Sequence, residues 1–413
     1  MVNSAILLHA NLLYAEIPFS KIPDVVNQSY LPVLKMLKSN PNFKVILNWT
    51  GFTLDVLNGE YPEYGTYPQV IDLIKFLVDR GQVELTGTSW AHAVLPICTV
   101  ADIKRDLLLY LDTVQRVIGV RPTGFFPPEL GIDPLLPPIL TELGYDWCFV
   151  DHDAIRYTTL DALNTANDFK RPPESFLKKT ARVADKNPIS QLLFLRKMKG
   201  LMRSITDMRP FVWEGAGGAS MTALRSFQVW NGYTLSCLGR MAIMNEKKLY
   251  NMLDRVTPNL QGYFLPFSTD FEFYGFGGNV NANPTPVSRL EELLRYIEES
   301  PHLEFTLPST HVKSLDDEQL DRHYLRAASW STDGDFGLWD ADPDNVRLNN
   351  FVAEVRELYL RMGHKLTKDG RQAVEKALLL AMNSDGRGWT PIPEHRLFCF
   401  NEALSAYKLL ERM

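Results

Sequence analysis

The chain has 413 residues, 45% of them hydrophobic and 22% charged, with a net charge of −6. That length exceeds one small core and suits a large α/β unit with an appended domain, and the mild negative charge argues against a partner as acidic as nucleic acid, which calls for a basic surface. No stretch approaches the roughly 20 apolar residues of a membrane span. The run Ala5 to Leu8 is too short for a signal segment, and the four cysteines form no CxxC pair, so the expectation is a cytoplasmic chain without a zinc ribbon or disulfide framework.

Strands and helices alternate from the start. "SAILLHANL" reads as a buried strand, "DVVNQSYLPVLKMLKSNP" as a helix stopped by Pro41, and "FKVILNWTG" as a second strand. "YPQVIDLIKFLVDRGQ" is a helix closed by Gly81, "VELTGTSW" a strand, and "TVADIKRDLLLYLDTVQRVIG" a third helix. "TGFFPPELG" ends a fourth strand, "PLLPPILTELGY" is a helix and "DWCFVDHDAI" a fifth strand. An irregular insertion follows over about 156–222, with a basic helical piece, "RKMKGLMRSI", and a glycine-rich loop, "WEGAGGAS". That loop lacks the spacing of a phosphate cradle and reads as a turn or lid. "GYFLPFSTDFEFYGF" and "LEFTLPST" read as further strands, with "PVSRLEELLRYIEES" a helix between them. Beyond about His311 long helical runs take over, "NVRLNNFVAEVRELYLRMG" and "RQAVEKALLLAM". The expected organisation is a βα-barrel domain over 1–310 and a helical domain over 311–413.

In a parallel barrel the chemistry gathers at the C-terminal ends of the strands. Here those ends carry His9 and Asn11, then Asn48 and Trp49, then Trp90 and His92, then Glu129, then Asp151 and His152. A sixth acidic end holds Asp270 and Glu272. Glu129 stands out because it follows Pro127 and Pro128 and neighbours Phe125, Phe126 and Leu130. A carboxylate in such rigid, apolar company is either exposed, partnered or used. On local sequence alone a helix-starting acid after prolines is as good a reading.

Seven stretches in order carry a resemblance: "LLHANLLYAEIP", "GQVELTGTSWAHAVLP", "TGFFPPELGID", "TDFEFYG", "LEFTLPST", "ASWSTDGDFGLW" and "AMNSDGRGW". Together they resemble glycoside hydrolase family 57, which comprises α-amylases, 4-α-glucanotransferases and branching enzymes. The resemblance implies an incomplete (β/α)7 TIM-like barrel followed by a C-terminal helical domain. It also implies retention of configuration, an α-glucan or maltooligosaccharide substrate, and no essential metal or other cofactor. By the same resemblance Glu129 maps to the nucleophile and Asp270 to the acid/base. His9, Asn11, Trp49, Trp90, His92, Asp151, His152, Glu272, Trp330 and Asp385 are candidate substrate contacts, the tryptophans as stacking faces, with Asp335 a further candidate. One departure is clear: the family's usual His-Gln-Pro in the first motif is His9-Ala10-Asn11 here.

The chemistry explains the residue types. A retaining glycosidase needs one carboxylate to attack the anomeric carbon and one carboxyl to protonate the leaving oxygen, about 5–5.5 Å apart. The prolines hold the backbone before Glu129, and Gly131 lets the chain turn away. Phe267, Phe271 and Phe273 give Asp270 an apolar setting that raises its pKa. In strand geometry Phe271 points away from Asp270 while Glu272 points the same way, to orient Asp270 or bind sugar hydroxyls. Two rivals stay open at this point. One is a non-catalytic α-glucan-binding protein on the same fold, motivated by the altered first motif. The other is a metal-dependent carbohydrate deacetylase or α-mannosidase with an ion among His9, Asp151 and His152.

Overall fold

The protein is known here from a computed structural model, which describes residues 1–155, 157–158, 208–240, 244–278, 283–331, 334–388 and 391–412. The basic piece "RKMKGLMRSI" and most of the expected insertion lie outside the described residues. Seven parallel strands form the barrel: β1 (Val2–Ala10), β2 (Val45–Trp49), β3 (Val83–Leu85), β4 (Gly124–Phe125), β5 (Trp147–Asp151), β7 (Ser220–Ser226) and β8 (Phe264–Asp270). β1 lies between β2 and β8, and β2 pairs with β3. β4 pairs with β5 and β5 with β7. A single bridge, Gly87 to Phe125, joins these two groups. β6 (Phe211–Glu214) runs antiparallel to β7, and β10 (Arg322–Tyr324) extends it parallel. β9 (Leu303–Phe305) pairs with the start of β1. The glycine-rich loop is therefore a hairpin turn between β6 and β7.

The alternation of side chains along the strands sorts the core. Ala5 and Leu7 of β1, Ile46 of β2, Phe149 of β5, Leu224 of β7 and Phe264 of β8 fill the barrel interior. Ile6 and Leu8 point the other way, into the larger cluster between strands and helices. The same parity carries His9, Asn48, Asp270, Asp151 and Ser226 to the inner face at the barrel mouth. The outward parity carries Trp49 to the helix layer, where it is fully buried against Tyr30 and Phe271.

Helices α1 (Leu31–Ser39), α2 (Gly51–Asn58), α3 (Pro68–Asp79), α4 (Val100–Val117), α5 (Leu136–Glu142), α6 (Gln228–Leu238), α7 (Glu246–Val256) and α8 (Val287–Glu299) follow the strands. α4 shows why the sequence winds there: Thr99 caps it, its side chain accepting from the Asp102 N–H. Its apolar positions Ile103, Leu107, Tyr110, Leu111 and Val114 recur at helical spacing and are all buried. The last three helices, α9 (Pro343–Met362), α10 (Lys368–Ala381) and α11 (Pro393–Glu411), form the C-terminal helical region. A nearly buried ion pair ties it to the barrel: Arg356 reaches Asp102 at 2.5 Å, and Asp102 also takes Arg105 at 3.2 Å.

The barrel is left unpaired between β7 and β8, and side chains bridge that seam. Asn231 of α6 accepts the Ser268 N–H at 2.9 Å through Oδ1 and donates to Ser226 Oγ at 3.4 Å through Nδ2. Without it, a buried strand N–H loses its partner, at a cost of about 1–3 kcal/mol. Asn231→Ala is expected to lower the thermal unfolding midpoint, while a surface change such as Lys75→Ala leaves it in place; calorimetry on both variants checks this.

Candidate active site

A cleft of about 400 Å³ opens at the C-terminal ends of the strands. Glu129, Asp270, Asp385 and Glu16 all line it, with His9, His92 and Trp330. Among the described residues, no lysine or arginine lines it.

Glu129 stands on a strained turn after β4. Among the described residues four non-glycine residues have positive φ, and three are here: His92 at 57°, Glu129 at 56° and Leu130 at 46°. Such conformations cost roughly 1–3 kcal/mol each and persist only where the surroundings impose them. Pro127 and Pro128 set the approach, as expected. The reversal falls on Glu129 and Leu130 themselves, and not on Gly131, whose φ is −73°. Gly131 serves close packing instead: a Cβ there would lie 3.2 Å from the Pro128 carbonyl oxygen and 3.3 Å from Pro96. Both Glu129 oxygens are occupied. Oε2 accepts from the Trp330 indole N–H, and Oε1 accepts from Ser384 Oγ at 2.9 Å. Burial pushes its pKa above the ordinary glutamate value, and the His92 charge and the two hydrogen bonds pull against that.

Asp385 and Ser384 come from the turn after α10, which is stitched to the barrel. Ser384 N–H donates to the His92 carbonyl at 3.0 Å, and Asn383 Nδ2 donates to the Ala91 carbonyl at 2.7 Å. His92 Nδ1 lies 2.8 Å from Ser384 Oγ and 3.0 Å from Asp385 Oδ2. Burial alone would lower the His92 pKa, but the Asp385 carboxylate, then Glu129 and Asp270, hold it above the usual histidine value. Asp385 moves the opposite way: burial raises it, yet its hydrogen bond to His92 and the histidine charges bring it below the usual range. His9 stacks on His92 with ring centroids 4.7 Å apart and is pushed down to about 3, chiefly by burial and then by the His92 charge. Its Nδ1 is fixed by Asn48 Oδ1 at 2.7 Å.

Asp270, the last residue of β8, accepts the Tyr14 hydroxyl at 3.0 Å. Burial raises its pKa to about 7, Asp385 and Glu129 adding to the rise and the Tyr14 hydrogen bond opposing it. Glu272 does not share the cleft. The chain leaves the strand at Asp270 and makes a 3-10 turn over Phe271–Phe273, so strand alternation stops applying. Glu272 is wholly buried, and its Oε1 accepts from the Asn11 N–H at 3.2 Å and from the Tyr30 hydroxyl. Its Oε2 has no hydrogen-bond partner among the described residues. Burial, with Asp270 next, lifts its pKa to about 8. Of the three phenylalanines expected around Asp270, Phe273 lines the cleft and Phe271 packs on Tyr30 and Trp49.

Asn11 lines the cleft but is already engaged. Its Nδ2 donates to Asp385 Oδ2 at 2.6 Å, and its Oδ1 accepts the Leu13 N–H at 3.1 Å. Trp90 is fully buried, its indole N–H donating to Asp55 at 2.9 Å, and it lines no part of the cleft. Trp49, buried in the helix layer, does not either. Asp151 is turned into its own loop, accepting the Asp153 N–H at 2.8 Å, and His152 stacks beside Phe227; neither lines the cleft with His9. Asp335 caps a loop, accepting the Gly337 N–H at 3.1 Å. Among the described residues one group can converge on a metal ion, His92, Glu129 and Asp385, with ligand atoms within 4.8 Å of one another. The same atoms already satisfy each other through the His92–Asp385 pair and Ser384. The expected trio His9, Asp151 and His152 is not assembled.

The family model for glycosyl hydrolase family 57 matches residues 8–326. The chain belongs to that family. An α-amylase of Pyrococcus abyssi is 29% identical over 128 residues, 31% of this chain but 18% of that relative. The match thus spans under a fifth of the relative's length. The crystal structure of a 4-α-glucanotransferase from Thermococcus litoralis superposes with a TM-score of 0.65 at 16% identity, covering 98% of this chain and 59% of that one. The structure of a family 57 branching enzyme from Thermococcus kodakaraensis gives 0.67 at 13% identity, covering 100% and 90%. At such identities the superpositions speak for the fold alone. Against the family's first motif, the departure at position 11 has a visible use: a proline there would have no N–H to give Glu272.

Sequence reasoning missed Tyr14, Ser384 and Glu16. Tyr14 and Glu16 sit inside the quoted first motif and Ser384 beside Asp385, so their positions were in view; nothing local marked their direction. Burial pushes Glu16 up to about 7, with Asp385 and Asp270 adding to it.

Glu272 gives a pH test of this arrangement. An unfolded glutamate releases its proton near 4.5, whereas the folded one holds it to about 8. A folded pKa above the unfolded one means stability that is whole below about 4.5 and lost as pH rises to about 8. Glu272→Gln keeps an acceptor for Asn11 and Tyr30 without an ionisable group. Its melting temperature is expected to fall less steeply between pH 5 and 8 than that of the parent chain, as followed by thermal scans in matched buffers.

Proposed function

We propose that this chain is a retaining glycosidase or transglycosidase acting on α-glucans such as maltooligosaccharides. The observation that carries the reading is the pair Glu129 and Asp270, contributed by well-separated strands to one cleft in which burial raises the pKa of both. Glu129 receives two hydrogen bonds and faces His92, which favours the carboxylate. Asp270 keeps its proton to about pH 7. In the first step the Glu129 carboxylate attacks the anomeric carbon, and the bond to the glycosidic oxygen breaks. That oxygen takes the Asp270 proton and leaves as a hydroxyl. In the second step Asp270, now a carboxylate, removes a proton from water or a sugar hydroxyl, whose oxygen displaces Glu129. Membership in the family supports the substrate class, and the double displacement yields net retention. The organisation that goes with this reading is a catalytic barrel over 1–310 and a helical domain over 311–413, the latter supplying Ser384 and Asp385.

Glu129→Gln and Asp270→Asn are each expected to lower turnover of maltoheptaose by at least about a thousandfold, the scale of losing an essential group, with circular dichroism unchanged. Near-parental rates in either variant would refute the assignment, and binding of maltoheptaose by the parent chain without turnover would favour a glucan-binding protein. Chromatography of the products separates the two outcomes of the second step: shorter chains alone mean water is the acceptor, longer chains as well mean sugar is.

The acid must be protonated to work, so activity should fall as pH rises through about 7. The Tyr14 hydroxyl stabilises the charged form of Asp270. Removing it in Tyr14→Phe therefore raises the Asp270 pKa, and the alkaline limb of kcat/KM against pH should move to higher pH. A downward shift would contradict the role given to Tyr14.

A further inference from the structure

Helix α6 forms one wall of the cleft, and the residues that reach it are Gln228, Asn231, Gly232 and Leu235. Their spacing of three, four and seven places them on one helical face. Asn231 is spent on the seam, bonded to Ser268 and Ser226. The other three have no such structural duty. Gly232 lies in the interior of the helix, where glycine is a poor residue compared with alanine. Its φ is not positive, so the backbone does not demand it. A Cβ there would meet nothing within 4 Å, so packing does not demand it either. Gln228 is half-buried at the cleft, and its amide makes no hydrogen bond among the described residues. Leu235 adds an apolar surface one turn beyond Gly232.

A glycine that costs the helix, whose added Cβ would meet no described residue, and that faces a cleft keeps room open there. The flanking groups suit a sugar: an amide for hydroxyls, bare backbone for close approach, and an aliphatic side chain for the ring's C–H face. The position says which sugar. α6 is fastened to β8 at Ser268, two residues before Asp270. The acid touches the glycosidic oxygen, so the ring on the far side of that oxygen extends along the Asp270 wall. We propose that Gln228, Gly232 and Leu235 form the subsite for the leaving-group or acceptor sugar, with Gly232 setting the space it has. This rests on the α-glucan reading above and names where that substrate's second half sits.

The test uses two substrates on the full chain. Maltoheptaose places a sugar in this subsite during bond breaking; maltosyl fluoride leaves as fluoride and does not. For Gly232→Leu the ratio of kcat/KM for maltoheptaose over maltosyl fluoride is expected to fall at least about tenfold, as steric exclusion of a ring predicts. Gly232→Ala should lower the same ratio more mildly while raising the thermal midpoint by about 1–2 °C, since the helix gains a better residue. The alanine variant keeps the test open if leucine impairs folding. Equal losses on both substrates, or no change in the ratio in either variant, would overturn the subsite. A parent chain that turns over neither substrate would overturn the α-glucan reading first and this inference with it, so the two failures are distinct.

Discussion

Crowding of acids around one histidine, His92, is the constraint on which the site depends. Glu16, Glu129, Asp270 and Asp385 line a cleft with no lysine or arginine among its described lining residues, and Glu272 is buried just behind. Like charges so close cannot all ionise in a medium of low dielectric. The conflict resolves unevenly. Asp385 faces His92 and raises its affinity for a proton, and His92 in turn brings the Asp385 pKa below the usual range. Glu129, next in line, gains from the same histidine and from two donors. Asp270 and Glu272, farther from the compensation, keep their protons to about 7 and about 8. His92 thus acts more strongly on Glu129 than on Asp270, although both are carboxyls beyond the ends of barrel strands.

Backbone strain and this electrostatic order belong together. His92, Glu129 and Leu130 adopt left-handed conformations that their side chains disfavour. What pins them is the set of contacts already described: Trp330 to both the carboxylate and the carbonyl of Glu129, and Ser384 to the backbone and ring of His92. The stabilisation lost in these turns is recovered in a fixed direction of approach for the Glu129 carboxylate. Loosening of any of these donors would leave the turn free to relax and the carboxylate free to swing.

Much of the barrel was legible because period-2 apolar strands and period-3.6 helices alternate cleanly through β5. The strand in Ser220–Ser226 was not, since "SMTALRS" is short, polar at intervals and lodged in a stretch that reads as irregular. The site was legible in its carboxylates, because ordered motifs located Glu129, Asp270 and Asp385, and all three line one cleft. The tryptophans misled for a physical reason. Trp49 sits one residue beyond the inward-facing Asn48, so strand parity alone sends it to the helix layer. Trp90 stands past the end of β3, where parity no longer guides, and its direction depends on Asp55, a partner 35 residues away. Glu272 failed in the reverse sense: parity was applied where the strand had already ended. Hydrogen-bond partners such as Tyr14 and Ser384 are fixed by tertiary approach, and no local pattern encodes that.

The turn bearing Asn383, Ser384 and Asp385 belongs to the helical region, yet it forms an antiparallel bridge to Ala93 and its groups complete the surroundings of His92 and Glu129. The two parts of the chain are therefore not interchangeable modules. A barrel recombined with helices from a distant homologue would inherit a His92 and a Glu129 whose surroundings no longer match the carboxylate and hydroxyl delivered to them. Change in the contacts that join the turn to the barrel, the Ser384 N–H to the His92 carbonyl and Asn383 to the Ala91 carbonyl, has to be matched in the opposite half. Heredity can vary the outer faces of these helices freely, but this one junction must evolve as a unit.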